Sequence, residues 1–188
     1  SGSASATQHT LTVRAYSEGV WANTAGGSYP LEIRVVSNPV LVSQGVGSDL
    51  IQALIGGTGA VLKQGAGVRP GVVLRFQEGA SVEYHEVLTV SQGVVGGVVR
   101  TTVEFNGTTL GVTFDQALST VQSREFDVDV YNQGTRIESW SQLSMLDTAD
   151  NYVETVINDD VTGSLLISAT DEDAALGLGA DMPAAGTF

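Results

Sequence analysis

His9 and His85 are the chain's only imidazoles. His9 lies in a ragged polar lead. His85 lies beside Glu83 and Glu86 in a run with strand character. Glu83 and His85 share a face if that strand is regular, because strand side chains alternate with a period of two. A metal centre needs three or four converging ligands, so His85 is expected to be an exposed strand residue. Acids cluster at Asp147/Asp150, Asp159/Asp160 and Asp171/Glu172/Asp173. None reproduces the oxygen ladder, glycine and closing glutamate of a calcium loop, and solvated turns and caps are the expected reading. Nothing singles out a carboxylate pair flanking a cleft, as glycoside hydrolysis requires. Gly56-Gly57-Thr58-Gly59 lacks the Lys-Ser/Thr of a phosphate loop. There is no nucleophile elbow and no dinucleotide fingerprint. Asn106-Gly107-Thr108 matches a glycosylation acceptor, but Asn-Gly is also a strong hairpin turn, which explains it better. The expectation is a protein that is not an enzyme, with no catalytic, cofactor-binding or metal-ligating residues and no cofactor.

The elements around these residues read mostly as strands. Leu11, Val13 and Ala15 alternate with polar neighbours, as do Leu31, Ile33 and Val35. Asn38-Pro39 breaks the chain. Asp49 ahead of Leu50, Ile51, Leu54 and Ile55 predicts a short helix stopped by Gly56-Gly57. From Gly71 the pattern is strongly β. Val72, Leu74 and Phe76 face one way, Glu78-Gly79 turns, and a bulge is expected near Glu86. Gly96-Gly97 interrupts the β-rich run from Val94 to Phe105, and Asn106-Gly107 predicts a hairpin with Val112 and Phe114 on its return strand. Phe126, Val128 and Val130 alternate with acids, Asn132-Gln133-Gly134 turns the chain, and Arg136 to Trp140 returns. Tyr152, Val153, Val156 and Ile157 lie on one face of a helix behind Asp150, and Leu165, Leu166 and Ile167 read as a last strand.

The predicted fold is α+β and β-rich: a mixed sheet layer with short helices, interrupted by an inserted small antiparallel β-barrel or sandwich. Residues 9–37 and 123–170 form the discontinuous layer, residues 40–122 the insertion, and residues 1–8 and 171–188 flexible ends. The chain's 188 residues, 42% of them hydrophobic, suffice for such cores. The net charge of −13, from 8 basic and 21 acidic residues, repels phosphate backbones and anionic surfaces, so neither nucleic acid nor membrane is an expected partner. With no cysteine, the fold uses neither disulfides nor thiolate metal sites.

Two segments resemble one family. The first runs Ala15-Tyr16-Ser17-Glu18-Gly19-Val20-Trp21-Ala22-Asn23 and continues with Leu31-Glu32-Ile33-Arg34-Val35. It is similar to the strand, Gly-any-Trp-Gly-Asn turn and strand of contractile phage-type tail sheath proteins. Ala22 stands here for the second glycine, and Thr24 to Pro30 lengthen the turn. The second comprises Phe126-Asp127-Val128-Asp129-Val130-Tyr131, Ile137-Glu138-Ser139-Trp140, Leu143-Ser144-Met145 and Asn151-Tyr152-Val153-Glu154-Thr155-Val156-Ile157-Asn158. It resembles the sheath hairpin, its Leu-Ser return and the helix behind it, with Trp140 where the family usually has Phe.

The resemblance implies a structural subunit of a contractile tail sheath. It would surround an inner tube and contract to drive the tube through a target envelope. Its partners would be other sheath subunits and the inner tube protein. Its location would be a virion tail or contractile particle, assembled in the bacterial cytoplasm. Sheath proteins usually continue into a further core domain and carry terminal arms, so the chain is expected to be a fragment or a short relative. Without arms and at −13, it is expected to be monomeric at micromolar concentration. Trp21, Asn23, Trp140, Tyr152 and Val156 are expected to serve packing, with Asn23 and Asn158 as turn or cap residues. The alternative is a glycan- or receptor-binding β module of a tail or cell-surface protein, which needs an exposed aromatic platform.

Overall fold

The computed structural model describes residues 10–16, 31–40, 50–54, 56–63, 67–172, 178 and 182–187, and the backbone of 5–7 and 42–44. The chain runs through β1 (Ser5–Thr7), β2 (Leu11–Ala15), β3 (Leu31–Ser37), β4 (Val42–Gln44), β5 (Leu50–Gln52), β6 (Gly59–Lys63) and β7 (Val73–Glu78). It continues through β8 (Ser81–Val95), β9 (Val98–Phe105), β10 (Thr120–Ser123), β11 (Phe126–Asn132), β12 (Thr135–Leu143), helix α1 (Val153–Ile157), β13 (Ile167–Asp171) and β14 (Gly186–Thr187). The protein is thus strand-rich with a single short helix among the described residues. It divides into two compact units, residues 1–38 with 125–188 and residues 39–124; the sequence placed the insertion over 40–122.

The first unit holds two antiparallel sheets, ordered β1-β2-β13 and β12-β11-β3-β14. Alternation builds them. Leu31, Ile33 and Val35 of β3 point inward with Phe126, Val128 and Val130 of β11, in a register that sets Val35 opposite Val128 and Ile33 opposite Val130. The outward positions carry charge: Arg34 pairs with Glu32 and lies 4.0 Å over the Tyr131 ring. Leu11 and Val13 of β2, Val153 and Ile157 of α1, and Ile167 and Ala169 of β13 complete the same core. Among the described residues every ladder of this layer is antiparallel, and the one parallel contact is the isolated bridge between Ser144 and Tyr152.

The second unit is one antiparallel sheet in the order β4-β10-β7-β8-β9-β6-β5. Leu50 in β5 and Val121 in β10, from opposite ends of that order, belong to one core with Leu62, Leu74, Phe76, Val87, Val103 and Phe105. The sheet therefore curls about its own interior, although β4 and β5 do not pair among the described residues. The hairpin turns are glycine-dependent. Gly96 and Gly97, both at positive φ (61° and 79°), join β8 to β9, where residues with a Cβ are strained.

Four expectations are corrected here. The predicted helix over 49–55 is strand β5 at residues 50–52, because burying Leu50 against the β6 ladder outweighs a stripe too short to hold a helix by itself; Asp49 and Ile55 lie outside the described residues. Asn106-Gly107 turns the chain with Gly107 at φ 66°, but no return strand forms: residues 106–119 are irregular, and Phe114 meets Ala53 by one bridge. The last long strand is Ile167–Asp171, and Leu165 stands 86% exposed. The ends expected to be flexible contribute β1, paired along β2, and β14, paired along β3, while Pro183 is buried. Open edges of β2 and β3 offer unpaired backbone groups, and strand addition satisfies them.

Candidate functional site

The constellation closest to chemistry is one the sequence placed at the surface. His85 is buried, and its environment accounts for this. Its ring stacks on Phe105 with centroids 4.4 Å apart and meets Phe76 edge-on at 5.9 Å. Its Nε2 lies 3.1 Å from Glu83 Oε2, on the same face of β8, and its Nδ1 lies 2.8 Å from Thr108 Oγ1. With Glu83 as carboxylate, Nε2–H donates to it, and Nδ1 is left to accept the Thr108 hydroxyl proton.

Hydroxyl, imidazole and carboxylate in that order form the relay of nucleophilic catalysis. Here the carboxylate has other work. Glu83 also accepts the backbone N–H of Gly111, at 3.1 and 2.9 Å, and of Val112 at 3.0 Å. A Cβ at Gly111 would come within 3.2 Å of Glu83 Oε1, so the glycine permits the approach. Next to this, Asn106 Nδ2 donates to Glu86 Oε2 at 2.8 Å, and the Asn106 N–H donates to the Glu86 carbonyl. Apart from the His85–Glu83 contact within β8, the bonds of the group run from β8 to the irregular loop 106–114. The arrangement holds that loop over the aromatic core, and the buried imidazole is satisfied at both nitrogens.

Several acids of the first unit are also engaged structurally. Asp159 Oδ1 accepts the N–H of Val161 (2.9 Å) and of Thr162 (2.6 Å) and the Thr162 hydroxyl (2.9 Å), and these bonds hold its carboxyl below the usual range. Gly163 closes this turn because a Cβ there would collide with the Ile157 carbonyl at 2.4 Å. Glu138 accepts the Ser164 hydroxyl (2.6 Å) and the Leu165 N–H (3.2 Å). Glu154 accepts the Asp171 N–H at 2.6 Å. Among the described residues no three His, Cys, Asp or Glu side chains come together as a metal site would require.

Of the residues assigned to packing, Trp21 and Asn23 lie outside the described residues. Trp140, Tyr152 and Val156 pack on the first unit's core, each half-buried and not enclosed. Trp140 stands opposite Val128 on the outer strand β12, which has no second strand neighbour among the described residues. Trp140→Ala should therefore cost about 2 kcal/mol, below the ~3–5 kcal/mol of an enclosed aromatic. Urea unfolding followed by circular dichroism measures it, and a loss under ~0.5 kcal/mol would mean that the ring packs on nothing.

Tyr152 is pushed above its ordinary value of 10.0, first by burial and then by the negative charges of Asp171 and Glu154; its hydroxyl faces Asp171 Oδ2 at 3.4 Å. A raised value means that the folded state keeps the proton while the unfolded chain releases it. The stability this group contributes is intact below pH 10.0 and is lost as pH climbs above it. Tyr152→Phe should flatten the alkaline limb of stability between pH 9 and 11 relative to the parent (both about one unit from that value). Equal slopes would show that Tyr152 ionises as freely folded as unfolded.

Two residues that hold the first unit together, Asp127 and Gln142, had no sequence signal, whereas a third, Asn158, was expected as a turn or cap residue. Asp127 sits on the polar side of β11, yet it accepts both contacts of Asn38 Nδ2 at 2.9 Å and the Gln142 N–H at 2.8 Å. Gln142 has φ 56°, unusual for a residue with a Cβ. It lies where the β11–β12 register shifts between Phe126 and Val128, and its carbonyl accepts from Asn151 Nδ2. Asn158 is the C-cap of α1, and its amide exchanges two bonds with Ala169, at 2.8 and 2.9 Å, as a strand neighbour would.

A shallow concavity of about 270 Å³ in the second unit is bordered by Gln52, Leu54, Thr58, Thr102 and Glu104, by glycines and by small aliphatic side chains of β6 and β9. No aromatic ring lines it. No protein family, no curated protein and no solved structure was found to match this chain.

Proposed function

We propose that the chain is a structural module of a contractile tail sheath, working through packing and assembly and not through an active site. The observation that supports this reading is how the resembling segments are used. Residues 31–37 and 126–158 are separated by an entire folded unit, yet they share one sheet and one core. Within that core the hairpin β11–β12, the Leu143-Ser144-Met145 return and α1 follow in the order of the resemblance. Asp159 and Glu138 hold turns, and the His85–Glu83 group clamps a loop, which suits a scaffold. In such a device free energy is stored in contacts between subunits that have two arrangements.

The test is electron microscopy of the full gene product that carries this chain, co-expressed with its tube partner. Regular tubular assemblies enclosing a lumen are expected. A dispersed protein that binds immobilised glycans would support a recognition module in its place and overturn the sheath reading.

A further inference from the structure

We propose that the outer edge of β8, from Leu88 to Val95, is a strand-addition site for the same edge of a second copy of this chain. β8 keeps β7 as its neighbour only to Val87, whose N–H donates to the Val72 carbonyl and whose carbonyl accepts the Gly71 N–H. Beyond it the ladder to β9 runs on to Val95 opposite Val98, but among the described residues no strand pairs with β8 on its other side. The segment from Leu88 to Val95 thus projects a row of backbone donors and acceptors. Natural edges of this kind are blunted by lysine, proline or inward charge. This one has none of them, and its side chains are open: Val94 is 72% exposed and Leu88 50%.

Three observations select the occupant. The first is charge. The chain carries −13, yet from Val87 to Val103 its one charged residue is Arg100. Two copies repel each other least along this hairpin. The second is the two-sided apolar tip. Val95 stands opposite Val98 and Val94 opposite Val99, and successive pairs point to opposite faces of a hairpin. A laterally added strand touches side chains on both faces at once, whereas a partner laid on the sheet covers only one. The third is the unpaired backbone itself. A bilayer would leave those groups unsatisfied, which hydrocarbon penalises strongly; a strand satisfies them. Antiparallel pairing of one segment with itself closes about a two-fold axis. Centred on Gln92, it sets Val90 against Val94 across that axis. This inference stands apart from the sheath reading and assigns a contact to the inserted unit, whose role the sequence left open.

So small an edge buries less than the ~1,200 Å² of a standard interface, so the dimer is weak and consistent with a monomer at low micromolar concentration. The experiment is sedimentation equilibrium of this chain from about 10 to about 500 µM, the range for such small contacts, with hydrogen exchange at both ends of it. A monomer–dimer equilibrium is expected, tightened by salt as repulsion is screened, with amides of Leu88–Val95 slowing as concentration rises. The double variant L88K/V94K changes two exposed side chains, so its circular dichroism should be unaltered; it should weaken dimerisation at least tenfold. A monomer throughout the range, a dimer indifferent to L88K/V94K, protection that appears elsewhere, or co-sedimentation with zwitterionic vesicles would each overturn the proposal.

Discussion

Phe126→Ala is expected to destabilise the first unit by about 3–5 kcal/mol, a large share of the ~5–15 kcal/mol that holds a typical domain together. Phe126 is fully buried at the start of β11. Its neighbours across the sheet are Ser37 on β3 and Leu143 on β12, so both adjoining strands close over it. Removing the ring forfeits its transfer from water and leaves a void that three hydrogen-bonded strands cannot collapse to fill. The site is also where the register shifts and where Asp127 gathers Asn38 and Gln142, so slack there loosens the clamp beside it. Urea unfolding followed by tryptophan fluorescence measures the effect, since Trp140 stands opposite Val128 in the same ladder. A midpoint shift worth less than ~1 kcal/mol would mean that the ring is not enclosed as described.

Phe76→Ala should cost the second unit a similar amount, about 3–5 kcal/mol. Phe76 is fully buried and sits at the centre of an aromatic group, with Phe114 at 5.5 Å, Phe105 at 5.8 Å and His85 at 5.9 Å between ring centroids. Each such pair adds roughly 0.5–1.5 kcal/mol beyond the area it buries. The substitution also removes one wall of the His85 site, so the contacts from His85 and Glu83 to loop 106–114 lose their support. Both tryptophans lie outside residues 39–124, so fluorescence is a poor probe here. Hydrogen exchange resolves it: amides of β7, β9 and the first half of β8 should lose protection together with those of Gly111 and Val112. Protection unchanged in all of them would remove Phe76 from the core.

The strands that read cleanly from the sequence are those with one buried face. β3 and β11 alternate strictly because inward positions meet the core and outward ones meet charge, and a period of two survives any local context. The β7–β8 turn was equally legible at Glu78-Gly79, and Gly79 does adopt positive φ. β5 was not, since Leu50, Ile51, Leu54 and Ile55 present a helical stripe and only the β6 ladder turns Leu50 inward as a strand residue. His85 was misplaced for a related reason. A polar residue in a strand reads as solvent-facing, and nothing local shows that Thr108, 23 residues on, returns to meet it. The bulge at Gln142 carries no glycine to announce it, and β14 is two residues long, too short for any periodicity.

The neck between the two units has a mechanical meaning. The chain leaves the first unit after Ser37 and re-enters it at Phe126, and those residues are opposite each other in the β3–β11 ladder. Just beyond them the Asn38 N–H donates to the Glu125 carbonyl at 2.9 Å, while the Asn38 side chain grips Asp127. Tension applied to the two ends of the chain therefore passes from β3 to β11 through this ladder and around the eighty-odd residues between. Those residues carry no load until the ladder itself parts, so under stretch the first unit acts as a fuse for the second. The second unit's extra contour length can then be released only after the first has begun to yield.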